Sequence, residues 1–85
     1  MSLHQIRYFV AVAEEEHVGR AAERLRIAQP ALSRQIRNLE AEVGTALFER
    51  TSRGMRLSSA GALFLSHARA ILSSVESATA ALRKR

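Results

Sequence analysis

The side chains best suited to holding a partner cluster between Ala28 and Val43, in the stretch AQPALSRQIRNLEAEV. Leu32, Ile36, Leu39 and Val43 are spaced by four, three and four residues, the stripe of a helix with one apolar side. At about 100° per residue the opposite side carries Pro30, Arg34, Arg37 and Asn38, with Ser33 on its flank. Guanidinium, hydroxyl and amide groups are the ones that hydrogen-bond phosphate oxygens and base edges in a DNA major groove. Gln29 and Pro30 open the helix, where proline is tolerated because its missing N–H would be unpaired anyway. Taken alone, the same pattern also describes an ordinary surface helix with water on its charged side. The surrounding elements decide between the two.

Eighty-five residues allow one small domain with an appended element, and 47% apolar content supplies a modest core. One proline, four glycines and few aromatics point to long, mostly helical elements. There is no cysteine, which excludes disulfides and thiolate zinc sites and fits a reducing cytoplasm. The net charge is +5, and of the thirteen cations all but Lys84 are arginine, the cation best matched to bidentate contacts with phosphate or guanine. The charge is uneven. Residues 1–16 set Arg7 against Glu14, Glu15 and Glu16, whereas residues 17–56 hold eight arginines against four glutamates. No apolar run approaches the roughly 18 residues of a membrane span, and no targeting segment or internal repeat is present.

Leu3, Ile6, Phe9, Val10 and Ala13 recur at helical spacing, with Ser2 as N-cap, and predict a packing helix over 3–14. Glu14 to Gly19 reads as a break, and its glutamates as a solvated helix end. Ala21, Ala22 and Leu25 form the inner side of a short helix over about 19–26, whose small alanines admit a close neighbour. Arg20 and Arg24 lie together on another side of it. Arg26-Ile27-Ala28 is then a tight connection, and two short helices so joined match a helix-turn-helix over about 18–37. Gly44 suits a left-handed C-cap. Residues 47–50 and 55–57 predict a hairpin around Thr51-Ser52-Arg53-Gly54, with Arg50, Arg53 and Arg56 on or beside it. That makes a winged helix whose arginine-bearing wing, over about 47–57, can reach a flanking minor groove.

Ser58 or Ser59 caps a last helix running from 59 to 85, about 40 Å long. Phe64, Ala68, Ile71, Val75, Ala78 and Leu82 alternate spacings of four and three, a heptad seam broadened by Leu65, Leu72 and Thr79. A 58-residue domain cannot cover so long a stripe, so the seam calls for a partner, most simply a second copy. The expected fold is therefore mainly α. Three helices and a small two-stranded wing form a winged helix-turn-helix over 1–58, followed by a linker or dimerisation helix over 59–85.

The segments IRYFVAVAEE, RAAERLRIAQPALSRQIRNLE, LFERTSRG and RLSSAG, in this order, resemble the N-terminal DNA-binding domain of LysR-type transcriptional regulators, together with its linker helix. The resemblance covers essentially the whole chain. It implies a bacterial homodimer, joined through linker helices, on an imperfect inverted repeat of promoter DNA. It also implies a larger inducer-sensing domain, which these 85 residues do not contain; the end at Arg83-Lys84-Arg85 in mid-helix reads as that of an excised or truncated module. Carried over by position, the DNA readers fall on Gln29, Pro30, Ser33 and Arg34, with Arg50 and Arg53 on the wing. Arg37 and Asn38 follow from the helical wheel, and Arg20 and Ala31 complete the expected surface. Dimerisation is assigned to Phe64, Ala68, Ile71, Leu72, Val75, Ala78 and Leu82. Where many members have Ser-Phe-Thr before the second helix, this chain has His17-Val18-Gly19, so Gly19 is expected as the N-cap and a phosphate-touching hydroxyl is lost.

No enzyme is expected, since His4, His17 and His67 are scattered and no nucleophile sits beside a base. Neither a metal nor another cofactor is expected. The rival reading is a basic helical protein-interaction or dimerisation module without DNA specificity. Membrane-surface binding would want a basic last helix, and here cations are sparse until Arg83.

Overall fold

A computed structural model describes residues 1–85 and contains, in chain order, α1 (Leu3–Glu15), α2 (Val18–Leu25), α3 (Gln29–Val43), β1 (Phe48–Thr51), β2 (Gly54–Leu57) and α4 (Ser59–Arg83). α1 starts on a complete capping box. The Ser2 hydroxyl accepts from the Gln5 N–H, and the Gln5 side chain accepts from the Ser2 N–H. The break after α1 is shorter than expected, only Glu16 and His17, with Glu16 left-handed at φ 55°. α2 accordingly begins one residue early, and its N-cap is His17, not Gly19: the imidazole Nδ1 accepts from the Arg20 N–H at 3.1 Å. A ring nitrogen with a free lone pair does what a cap hydroxyl would do. Arg26, left-handed at φ 58°, turns the chain from α2 into α3.

The core is assembled from one side of each helix and the inner side of the hairpin. Leu32, Ile36 and Leu39 are buried on α3, Ala21 and Ala22 on α2, and Ile6, Phe9, Val10, Ala11 and Val12 on α1. Phe9 stands at its centre, fully buried, with its ring 5.2 Å from that of Phe48 and 4.9 Å, edge-on, from that of Phe64. Helix, wing and last helix thus meet on one side chain.

The hairpin is antiparallel, pairing Phe48 with Leu57, Glu49 with Arg56, Arg50 with Met55 and Thr51 with Gly54. Each strand extends one residue further into the turn than expected. Gly54, at φ +140°, permits this, and a Cβ there would strike the Glu16 carbonyl oxygen. The Met55 N–H donates to that same carbonyl at 3.0 Å, fastening the hairpin to the end of α1.

α4 begins at Ser58, whose hydroxyl accepts from the Gly61 N–H. At 25 residues it is about 37 Å long, most of the molecule's 49 Å extent. Its first turns lie on the domain. Ala68 is fully buried, Phe64 packs on Phe9, and Leu65 and Leu72 are half-buried against the core. Phe64 and Ala68, read in sequence as part of a free seam, therefore belong to the protein's own core. The same stripe continues past the residues that reach the core, and spacing alone does not mark where packing on the domain ends. Beyond Leu72, Ala78 and Leu82 are exposed and Val75 is half-buried. No helix is long and apolar enough to cross a membrane.

Candidate nucleic-acid interface

Burying Leu32, Ile36 and Leu39 turns the other side of α3 outward. Gln29, Pro30, Arg34, Arg37 and Asn38 are exposed, and Ala31 and Ser33 are half-buried beside them. Alternation along the hairpin then sets which arginines join them. Arg50 shares a face with Phe48, so it points to the side of the sheet that looks at α3, whereas Glu49 and Arg56 point to the other side. Ser33, Arg37 and Arg50 accordingly line one narrow cleft of about 50 Å³ between α3 and the hairpin. Arg53 lies at the exposed tip, where its N–H donates to the Thr51 hydroxyl.

The wing's placement beside α3 depends on a residue that sequence reasoning passed over. The Glu40 carboxylate accepts from the Leu47 N–H at 2.7 Å and the Phe48 N–H at 3.3 Å, tying the last turns of α3 to the entry of β1. Its partners are backbone groups, which leave no trace in residue type. The Glu16 carbonyl, holding Met55 from the other side, was equally invisible.

Charge pairing separates the arginines of α3 and the wing, which like Arg7, Arg26 and Arg56 are unpaired, from those held inside the protein. Arg34, Arg37, Arg50 and Arg53 are exposed and none is in an ion pair. Arg24 and Arg69 are committed internally. Arg24 meets Glu14 at 2.8 Å and Glu15 at 3.2 Å, and Arg69 meets Glu14 at 3.1 Å. Of the glutamate run expected to be a solvated helix end, Glu16 is exposed and unpaired, whereas Glu14 and Glu15 tie α1 to α2 and Glu14 also ties it to α4. The hydrogen bond from Arg24, then that from Arg69, holds the Glu14 carboxyl below its usual range against an opposing desolvation effect. The same bonds, first to Glu14 and then to Glu15, raise the Arg24 guanidinium. Arg20, expected at the interface, is exposed, but its guanidinium donates to the Glu15 carbonyl at 3.0 Å and is less free than the α3 and wing arginines.

No group of three or more histidine, cysteine, aspartate or glutamate side chains is placed to hold a metal ion, and no buried side-chain polar atom lacks a partner. The arrangement is a convex, cationic helix flanked by a cationic loop, a shape suited to a groove rather than to a small molecule.

Residues 3–62 match the family described as bacterial regulatory helix-turn-helix protein, lysR family. The chain belongs to that family. Among curated relatives it is 54% identical over 72 residues to the HTH-type transcriptional regulator ClcR of Pseudomonas putida, covering 85% of this chain and 24% of ClcR. Among solved structures it superimposes with a TM-score of 0.94 on the BenM_DBD/catB site 1 DNA complex, at 45% identity over 99% of this chain and 94% of that one. The CbnR_DBD–DNA complex gives a TM-score of 0.93 at 42% identity, covering 99% and 97%. The chain thus spans about a quarter of the length of ClcR but nearly all of these two excised domains. Membership of the LysR family, the winged helix-turn-helix and its two-stranded wing accord with the sequence-based expectation.

Proposed function

We propose that this chain is the promoter-recognition module of a LysR-type transcriptional regulator, binding double-stranded DNA with sequence preference. The observation that carries the reading is the set of four unpaired arginines, Arg34, Arg37, Arg50 and Arg53, on and beside the outer side of α3. Unpaired exposed cations repel one another in the free protein and are relieved by an anionic partner of matching shape. The second helix of a helix-turn-helix enters the major groove, and its N-terminal residues meet base edges. Here these are Gln29, Pro30, Ala31, Ser33 and Arg34, with Arg37 and Asn38 a turn further on. Gln29 suits adenine or a phosphate, Ser33 is a small donor or acceptor near the groove floor, and Arg34 takes a phosphate or a guanine edge. Arg50 and Arg53 reach the adjacent groove or backbone, and Arg20 a backbone phosphate once it leaves Glu15. The BenM and CbnR domains, similar over nearly their whole length, are described in complex with DNA, which supports the same role here.

The module acts as a homodimer on an imperfect inverted repeat. Residues 1–58, with the first turns of α4 completing their core, form the DNA-binding unit, and the rest of α4 forms the linker that joins two copies. Ile71, Val75, Ala78 and Leu82 carry the joint, with Leu72 at its margin. Ile71 is 37% exposed and Leu82 66%, large apolar surfaces that a partner helix would cover. The regulator works in the bacterial cytoplasm, is not an enzyme and needs no cofactor in this module. An inducer-sensing domain belongs to the larger protein.

Gel-shift titration against random-sequence duplex at low and at physiological salt tests the DNA reading. Binding that is firm at low salt and falls steeply with added salt is expected. No binding at low salt would leave the chain a protein-interaction module.

A further inference from the structure

The His17 imidazole has one nitrogen occupied and one free. Nδ1 accepts from the Arg20 N–H at 3.1 Å. A nitrogen that accepts carries no proton, so the neutral ring has its proton on Nε2. Nε2 makes no hydrogen bond within the protein, and no buried side-chain nitrogen or oxygen is left unpartnered, so this N–H faces solvent. His17 also lines a cleft of about 240 Å³, together with Gln29, from the start of α3, and Arg50 and Thr51, from the wing. Two of those neighbours, Gln29 and Arg50, belong to the proposed DNA surface.

Gly19 makes this placement possible. A Cβ at residue 19 would lie 2.8 Å from His17 Cε1, closer than real Cβ atoms approach, and a tight 3.2 Å from Nδ1, so the ring would have to move. The glycine is therefore a space left for the imidazole, not the helix cap its position in the sequence suggests.

We propose that His17 is a DNA-binding residue: its Nδ1 caps α2 while its Nε2–H donates to a backbone phosphate oxygen lying across the cleft between α2, Gln29 and Arg50. The inference rests on the DNA-binding reading. One ring does two tasks, and the cap fixes the tautomer that the phosphate requires. Because the donor is uncharged, it adds affinity and fixes register without releasing a counterion.

The test uses the full 85-residue chain and a duplex recovered from a random pool by binding to the unmodified protein. His17→Ser keeps a capping oxygen but removes the outward donor. It should bind about tenfold more weakly, ~1.4 kcal/mol, with an unchanged salt slope, whereas Arg50→Ala should flatten the slope. Replacing phosphates one at a time with uncharged methylphosphonates should reveal a site that weakens the unmodified protein but has little further effect on His17→Ser. Gly19→Ala, which keeps the imidazole but displaces it, should lose as much affinity as His17→Ser, and combining the two should cost no more. Unchanged affinity for both variants, or identical methylphosphonate profiles, would overturn the assignment while leaving DNA binding intact. Failure of the unmodified chain to bind any duplex would overturn the DNA reading itself, and this assignment with it.

Discussion

Arg34→Ala removes an exposed cation that makes no side-chain hydrogen bond or ion pair in the free protein, so its effect should appear in DNA binding and hardly in stability. Of the exposed arginines without ion pairs, four per protomer lie on or beside the outer side of α3: Arg34, Arg37, Arg50 and Arg53. If each neutralises one phosphate in a two-protomer complex, the slope of log affinity against log salt is about −7, from roughly −0.9 per phosphate. Raising salt from about 50 to 200 mM should then weaken binding about ten-thousand-fold. Arg34→Ala takes out one contact in each protomer. As a phosphate contact its loss makes the slope about 1.8 shallower and lowers affinity on every sequence. As a guanine contact its loss leaves the slope nearer its original value and relaxes preference at one position of each half-site. Either way the two lost contacts together are worth ~2–6 kcal/mol, at least about thirtyfold in affinity. Arg24→Ala is the control, because Arg24 is held by Glu14 and Glu15, and it should leave the slope unchanged. Fluorescence anisotropy at four or five salt concentrations reads all of this. Equal slopes and affinities for the unmodified chain and Arg34→Ala, with a flattened slope for Arg24→Ala, would refute the division of the arginines into free and committed.

Other expectations follow from the packing. Ile71→Glu places a charge on the apolar side of α4 in both copies of a dimer and should give monomers by sedimentation equilibrium without unfolding the domain; an unchanged dimer would refute the joint. Gly61→Ala would bring a Cβ against the Leu47 carbonyl oxygen, a backbone atom, so the start of α4 must shift. A cost of about 1–3 kcal/mol is expected in urea unfolding, and a neutral result would contradict the placement of α4. Glu14→Gln loses two half-exposed ion pairs, each worth about 0.2–1 kcal/mol after screening by water. The folded carboxyl lies below its ordinary value of 4.5, so this contribution is complete above that pH and disappears as pH falls through the lowered folded value. Melting temperatures of the two proteins should therefore differ by a few degrees near neutrality and converge in acid; a gap that persists in acid would contradict the ion-pair account.

The parts of this molecule legible in sequence are those fixed by neighbours three and four residues away. The stripe of Leu32, Ile36 and Leu39 dictated the outer side of α3, and Ser2 and Gly44 marked helix ends where the structure has them. The hairpin was legible from its turn, though not its last pair, because pairing of Thr51 with Gly54 depends on Gly54 lying against Glu16. What was not legible depends on residues distant in the chain. The glutamates after Ala13 looked solvated because Arg69, 55 residues away from Glu14, cannot be foreseen as a partner. Glu40 gave no sign of its two backbone donors. Ala68 looked like any other member of a heptad until α1 was laid against it. In sequence His17 is one of three scattered histidines, since capping is a property of conformation and not of residue type alone.

If the outer side of α3 and the adjoining wing read duplex DNA, in two copies joined by α4, the sequences that the protein retains must carry that imprint. Selection of bound duplexes from a random pool by the 85-residue chain, followed by sequencing, addresses it most directly. Enrichment of a motif made of two related half-sites in inverted orientation is expected, lost or altered on repeating the selection with Ser33→Ala. A bound pool no different in sequence from the starting pool would contradict it.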